Sequence, residues 1–328
     1  MNILVTGGAG YVGSHAARWL ARAGHDVWVY DNLSVGHRAA ALPGRLIVGE
    51  LADEANLQAV LKERSIEAVM HFAAYALVGE SVLEPAKYYR NNIAATLSLL
   101  EAMQAANVSK LVFSSTTATY GAPERIPITE DEPQLPINPY GFSKLVVERA
   151  LADYAHAYGL SYAALRYFNA AGASPDGDLG EDHTPESHLI PIVLQVALGQ
   201  RPQITIFGDD YATPDGTCIR DYVHVDDLAQ GHLLALEQLA PGKGLHFNLG
   251  TGRGYSVRQV IDACRKITGH PIPEILGPRR PGDPPELVAD SSRAQKELGW
   301  TPQYPEIDSI VATAWKWHQS HPRGYGDA

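Results

Sequence analysis

A doubly wound α/β fold with a parallel Rossmann-type sheet, joined to a smaller mixed α/β substrate-binding domain, is what this chain predicts. Three observations carry the prediction: an apolar strand that runs directly into glycines spaced by three, alternating strand and helix signals up to about residue 170, and a change of texture beyond it.

The first strand, Ile3-Leu4-Val5, ends at Thr6 and is followed by Gly7-Gly8-Ala9-Gly10-Tyr11-Val12-Gly13. Gly7 permits a tight turn, Gly10 lets the backbone approach a pyrophosphate, and Gly13 allows the helix predicted over 12–22 to pack closely on the strand. A second strand over 26–30 ends at Asp31, 18 residues beyond Gly13. A carboxylate there accepts hydrogen bonds from adenosine ribose hydroxyls and repels a 2′-phosphate, so NAD is expected over NADP.

Further elements follow in the same alternation: a strand over 45–49, a helix over 53–64, a strand over 68–72, a long amphipathic helix over 86–106, and a strand over 110–114. Pro139 suits a first helical turn, which predicts a helix over 139–158. A strand over 162–167 is the sixth, with right-handed crossovers between strands. Past Asn169 the loops lengthen and grow rich in Gly, Pro and Asp. The expected division is a dinucleotide-binding domain over 1–170 and a substrate-binding domain over 171–328, with 220–236 able to pack back on the first.

With 328 residues, 45% hydrophobic and 19% charged, the chain resembles an ordinary soluble enzyme in composition. No stretch approaches the ~20 apolar residues of a membrane span. A net charge of −11 argues against a nucleic-acid surface and leaves any anionic substrate to local arginines. Cys218 and Cys264 are far apart, and the chain begins on a strand residue, so a cytoplasmic protein with reduced thiols is expected, and no metal site.

Tyr140 and Lys144 stand four apart on the 139–158 helix and so share a face. A phenol titrating near ~10 is a poor base at neutral pH. An adjacent ammonium and the charge of an oxidised nicotinamide would stabilise the phenolate, letting it accept a proton from an alcohol. Alone the spacing is common to surface pairs; downstream of the glycine turn it points to hydride chemistry.

The chain resembles the extended short-chain dehydrogenase/reductases, and within them the UDP-glucose 4-epimerase family, over essentially its whole length. The resemblance rests on the glycine turn, Asp31-Asn32-Leu33-Ser34, His71-Phe72-Ala73-Ala74, Asn91-Asn92, 114–121, 140–144, 166–172, 207–211, Arg220-Asp221-Tyr222, 248–252 and Arg279-Arg280-Pro281-Gly282-Asp283. It implies reversible inversion at C4 of a UDP-hexose through a transient 4-ketose with bound NAD. Tyr140 would be the base, Lys144 its partner and a ligand of the nicotinamide ribose, and Thr116, where relatives commonly carry serine, a relay to the same oxygen. It also implies cofactor contacts at Tyr11, Val12, Asp31, Asn32, Ser34, Gly36, Glu50, Leu51, Phe72, Ala73, Ala74, Asn91, Ser114, Tyr167 and Phe168. Glu50 replaces a common aspartate, and Ala76 a common lysine.

On the nucleotide-sugar side the resemblance implies contacts from Asn169, His188, Leu189, Thr205, Phe207, Arg220, Tyr222, Arg280 and Asp283. Arginine suits a diphosphate because its planar fork binds two oxygens. Leu287 falls at a pocket-wall position that is tyrosine in members restricted to glucose and galactose, and small in those accepting 2-acetamido sugars. His71 and His224 read as core histidines. Epimerases of UDP-N-acetylglucosamine, UDP-pentoses or UDP-uronates remain alternatives, as does a non-catalytic NAD-binding scaffold. A 4,6-dehydratase would need an Asp-Glu pair where Thr116-Thr117-Ala118-Thr119 stands. Related enzymes often form dimers through two helices per subunit, so a homodimer is expected.

Overall fold

The structure, a computed structural model, describes residues 1–280 and 282–326. Strand β1 (Asn2–Thr6) leads into α1 (Tyr11–Arg22), β2 (Asp26–Asp31), β3 (Leu46–Val48), α2 (Glu54–Glu63) and β4 (Ala68–His71). Helices α3 (Val78–Leu83), α4 (Pro85–Tyr88) and α5 (Ala95–Ala105) precede β5 (Lys110–Thr116), α6 (Pro139–Tyr158) and β6 (Ser161–Tyr167). Then come β7 (Asn169–Ala171), α7 (Leu189–Ala197), β8 (Ile204–Phe207), β9 (Ile219–His224), α8 (Val225–Glu237) and β10 (Gly244–Leu249). The last are β11 (Gly254–Ser256), α9 (Val257–Thr268), β12 (Glu274–Gly277), β13 (Glu286–Leu287), α10 (Ser292–Leu298) and α11 (Ile307–Ser320).

The main sheet has seven strands in the order β10-β6-β5-β4-β1-β2-β3, and every neighbouring pair is parallel. Its central strands are buried on both faces, which explains their unbroken apolar runs. One face is covered by α1 and α8, with Ala16, Ala17, Leu20, Leu228 and Leu236 in the core. The other is covered by α2, α5 and α6, with Leu57, Leu99, Met103, Val147 and Leu151 buried. Strand order reverses between β1 and β4, and the crevice beyond their carboxyl ends is where doubly wound sheets bind ligands.

Two sequence expectations are corrected. A seventh strand, β10, lies beside β6, Phe247 opposite Leu165 and Leu249 opposite Tyr167. The long helix expected over 86–106 is broken into α4, a π-helical turn (Tyr89–Ala94) and α5. The break is built around buried Asn92, whose side chain accepts from the Tyr75 backbone N–H and donates to the Tyr75 carbonyl, both at 3.0 Å. Such turns often mark functional sites.

A third core holds Val193, Leu194, Tyr222, Val260, Ile261, Ile310 and Val311, under α7, α9 and α11. Strand β9 lies between β11 and β13 and also pairs with β7, while β8 pairs with β12. Helix α8 is tied to α1 by a buried contact between His15 Nδ1 and Asp226 Oδ1 at 2.7 Å.

Candidate active site

The glycine turn has the shape its spacing predicts. Gly7 has φ +72°, and a Cβ there would overlap the Ala73 backbone; one at Gly13 would overlap the Gly7 carbonyl. Helix α1 starts at Gly10 with no side-chain cap, so its first-turn N–H groups and positive dipole end suit a pyrophosphate. A Cβ at Gly36 would meet the Ala9 carbonyl carbon at 2.8 Å, so the loop carrying Asn32 and Ser34 closes tightly over the turn. Asp31 is buried at the end of β2, accepting from Ala9 N–H (3.0 Å) and Leu33 N–H (2.8 Å). Burial raises its carboxyl above the ordinary range, and those two bonds oppose the rise. Asn32 donates to both Glu50 carboxylate oxygens (3.2 and 3.1 Å), which fixes the longer side chain that stands in place of aspartate. The geometry therefore fits an NAD-type dinucleotide.

Across the sheet, Phe72, Ala73 and Ala74 leave β4 half-buried, and Phe72 packs on His232 with ring centroids 4.7 Å apart. Leu51 is buried, while the Tyr11 hydroxyl donates to the Gly172 carbonyl at 2.6 Å and its ring packs edge-on against His15 and His183.

Helix α6 starts as predicted: Asn138 accepts from Gly141 N–H at 2.8 Å, and Pro139 occupies the first turn. Lys144 is 3% exposed and donates to the Ser114 carbonyl at 2.8 Å; burial pulls its amine down to about 7, the Glu148 charge opposing. Tyr140 packs edge-on against Tyr88 at 6.5 Å. In the chain itself burial raises the Tyr140 phenol and the nearby Thr116 hydroxyl lowers it, while Lys144 gives one of its three N–H groups to the Ser114 carbonyl. The charge of an oxidised nicotinamide would oppose the effect of burial and favour the phenolate. Ser114 and Tyr167 share a hydrogen bond of 2.5 Å at the ends of β5 and β6, which places both strand ends at the same rim.

Sequence reasoning assigned no role to Asn92 or Ser143. Asn92 donates to Ser143 Oγ at 3.1 Å and accepts from Asn91 at 3.0 Å; Ser143 Oγ donates to the Tyr140 carbonyl at 2.7 Å. The π turn thus holds the first turn of α6. The usable signal was an Asn-Asn pair inside an otherwise helical pattern. Asp221 was missed likewise: wholly buried, it accepts from the backbone N–H groups of Thr251, Gly252 and Ala289 and so fixes β9.

Arg220 and Tyr222 lie two apart on β9 and share a face. Asn169 is opposite Tyr222, and Leu287, half-buried, is opposite Arg220. Arg220 pairs with Asp283, and Asp283 N–H donates to the Arg280 carbonyl at 3.3 Å. The Arg280 guanidinium sits 4.2 Å from the centre of the Phe207 ring on β8, the strand that carries Thr205. Two arginines and an aspartate are thereby gathered around β9 and β8. Tyr222 is nearly buried in the third core, and burial raises its phenol. Leu189 opens α7, and His188 just before it turns Nδ1 to Glu181 Oε1 (2.7 Å) and Glu186 Oε1 (3.2 Å). Burial alone would lower its imidazole; the two carboxylates push it up to about 10. His71, between Thr6 Oγ1 (2.7 Å) and Thr96 Oγ1 (2.9 Å), and His224, on Thr313 Oγ1 (3.0 Å), are core histidines as read.

The sequence matches the NAD dependent epimerase/dehydratase family over residues 3–250. It is 55% identical over 326 residues to a UDP-glucose 4-epimerase from Halalkalibacterium halodurans, covering 99% of this chain and 98% of that one. The fold superposes on a UDP-glucose 4-epimerase from Brucella ovis in complex with NAD at a TM-score of 0.92, with 51% identity and 96% and 97% of the two chains covered. It superposes on that of Bifidobacterium longum in complex with NAD+ and UDP at 0.95, with 42% identity and 99% and 100% covered. The chain belongs to the NAD dependent epimerase/dehydratase family.

Proposed function

We propose that this chain interconverts UDP-glucose and UDP-galactose by inverting C4. The observation that carries the reading is the placement of Tyr140 and buried Lys144 on α6, at the rim of β5 and β6 beside a cradle built for NAD. NAD+ held in that cradle would supply a reversible hydride acceptor for C4. Tyr140 takes the 4-hydroxyl proton and gives it back, Thr116 hydrogen-bonds the same oxygen, and Lys144 holds the nicotinamide ribose and the α6–β5 junction. Arg220 and Arg280 bind the diphosphate, Asp283 accepts from ribose hydroxyls, and Asn169 and Tyr222 line the pocket. Incubating the protein with UDP-glucose, without added cofactor, should yield UDP-galactose at equilibrium. No conversion with or without NAD+ would leave an epimerase of another UDP-sugar or a non-catalytic NAD-binding scaffold.

Because the hydride is returned in each turnover, the cofactor has no reason to leave. Nucleotide extracted from denatured protein is therefore expected to be NAD(H) with little NADP(H). A dominant NADP(H) fraction would overturn the role given to Asp31.

A broader sugar range is a second part of the proposal, favoured by Leu287 standing half-buried beside Arg220. A leucine wall leaves room beside C2 that a phenol ring would fill. Weaker but measurable turnover of UDP-N-acetylglucosamine is expected, and Leu287→Tyr should remove it while sparing UDP-glucose. Steric overlap there costs typically ~1–3 kcal/mol, or about 10- to 200-fold in selectivity. Equal loss of both activities would show that Leu287 merely packs its strand.

A cytoplasmic homodimer completes the reading. Both cysteines are buried free thiols, and no helix among the described residues is long and apolar enough to cross a membrane. Tyr89 and Phe142 stack edge-on at 6.2 Å while 39% and 45% exposed, a face suited to a second copy. Light scattering on the same preparation reads the assembly, and a monomer at micromolar concentration would remove this element.

A further inference from the structure

The segment between β7 and α7 gathers four side chains that the catalytic reading does not need together. Glu181, His183, Glu186 and His188 each bring one donor atom to a common spot, and the four atoms lie within 4.8 Å of one another. Glu181 is only 5% exposed, yet no hydrogen bond of normal geometry reaches its Oε1, nor His183 Nδ1. The atoms are close all the same. His183 Nδ1 is 3.2 Å from Glu181 Oε1 and 3.6 Å from Glu186 Oε2, and His188 Nδ1 is 2.7 Å from Glu181 Oε1. A four-coordinate ion with bonds of ~2.0–2.1 Å holds its donors about 3.3 Å apart, which is the scale of these separations.

We propose that Glu181, His183, Glu186 and His188 form a binding site for one divalent first-row transition ion. Two imidazoles and two carboxylates make a mixed N/O set for which Zn2+ is the best match; Mg2+, which prefers oxygen ligands and keeps its waters, is a poor one. Glu186 Oε1 already accepts from the backbone N–H groups of Ser187 (2.7 Å) and His188 (2.8 Å), so that oxygen is anchored and Oε2 is left for the ion. Four protein donors leave no open position, so the ion is structural rather than catalytic. The His183 ring meets the Tyr11 ring edge-on at 6.3 Å, and Tyr11 begins α1. The ion would therefore pin the segment before α7 against the start of the dinucleotide cradle. The site revises the sequence expectation of no metal and stands independently of the sugar assigned above. It also gives His188 a different task from substrate contact: ligation through Nδ1 leaves Nε2 as the protonated nitrogen.

The test uses untagged full-length protein, stripped with a chelator and titrated with Zn2+, Co2+ or Mg2+. One Zn2+ per chain by calorimetry and elemental analysis, a rise in Tm saturating at the same ratio, and the intense visible bands of four-coordinate Co2+ are expected, with Mg2+ inert. Glu181→Gln and His183→Ala should each weaken Zn2+ by at least ~10-fold, the least that even outer-shell changes cost. No stoichiometric ion and no Tm shift in the unsubstituted chain, or unchanged affinity in both variants, would overturn the site and leave an ion-pair cluster. Should a variant fail to fold, the other variant and the Co2+ spectrum of the unsubstituted chain decide.

Discussion

Tyr140→Phe is expected to lower turnover of UDP-glucose by at least ~10²-fold, the usual cost of losing a general base, while leaving UDP and NAD bound. The substitution deletes one oxygen and keeps the ring, so the edge contact with Tyr88 survives. Its effect should fall on the chemical step. In the chain alone, burial raises the phenol, and the positive charge of a bound oxidised nicotinamide would oppose that rise. The unsubstituted enzyme should therefore gain rate as pH rises towards the phenol's effective value, because the base is the deprotonated form. The residual rate of the variant should lack that rise. Initial rates across pH, with UDP affinity measured by calorimetry on the same samples, check both statements. Near-normal turnover with UDP still bound would mean that another group takes the proton.

What was legible in the sequence follows from how local each feature is. The turn from β1 into α1 is written in three glycines whose requirements are met within the turn and by one neighbouring loop, and Pro139 with Asn138 marks the start of α6 just as locally. Strand β10 was not legible: Gly244-Leu245-His246-Phe247-Asn248-Leu249 sits among loop-like segments, and only pairing with β6 makes it part of the sheet. The break in the 86–106 helix has the same origin, since Asn92 is held from outside its own helix by the backbone of Tyr75 and by Ser143. Residue types at Tyr140 and Lys144 suggested the chemistry, whereas the burial that raises the phenol and the Lys144 bond to the Ser114 carbonyl enter only with the fold. The Glu181 to His188 cluster was missed because each member read singly has an ordinary explanation. Only folding brings their donor atoms to one place.

The second large effect is expected behind the site, where Glu148 on α6 meets Arg166 on β6. Arg166 Nη2 lies 2.6 Å from Glu148 Oε2 and its Nε 3.0 Å from Oε1, with side-chain exposures of 5% and 3%. Arg166 also donates to the Tyr120 hydroxyl at 2.9 Å, and Ser115 donates to Glu148. Removing one partner of such a pair leaves a buried charge uncompensated, so Arg166→Met should lose about 3–5 kcal/mol of unfolding free energy, read by urea denaturation. Burial alone would raise the Glu148 carboxyl; Arg166 and Ser115 overrule it and hold the folded value below the ordinary one. In the unsubstituted chain Glu148 therefore contributes stability above the unfolded pKa, and loses it as pH falls through the depressed folded value. In Arg166→Met burial is opposed only by the weaker Ser115 and Gln134 hydrogen bonds and the neighbouring His246. The carboxyl then titrates above its unfolded value, so the variant is penalised at neutral pH and recovers as the acid takes up a proton. The two stability curves should converge on acidification, and Arg166→Met combined with Glu148→Leu should regain much of the loss at neutral pH. A deficit below ~1 kcal/mol at pH 7, or one independent of pH, would mean that water reaches Glu148 and that the pair does not hold α6 against the sheet.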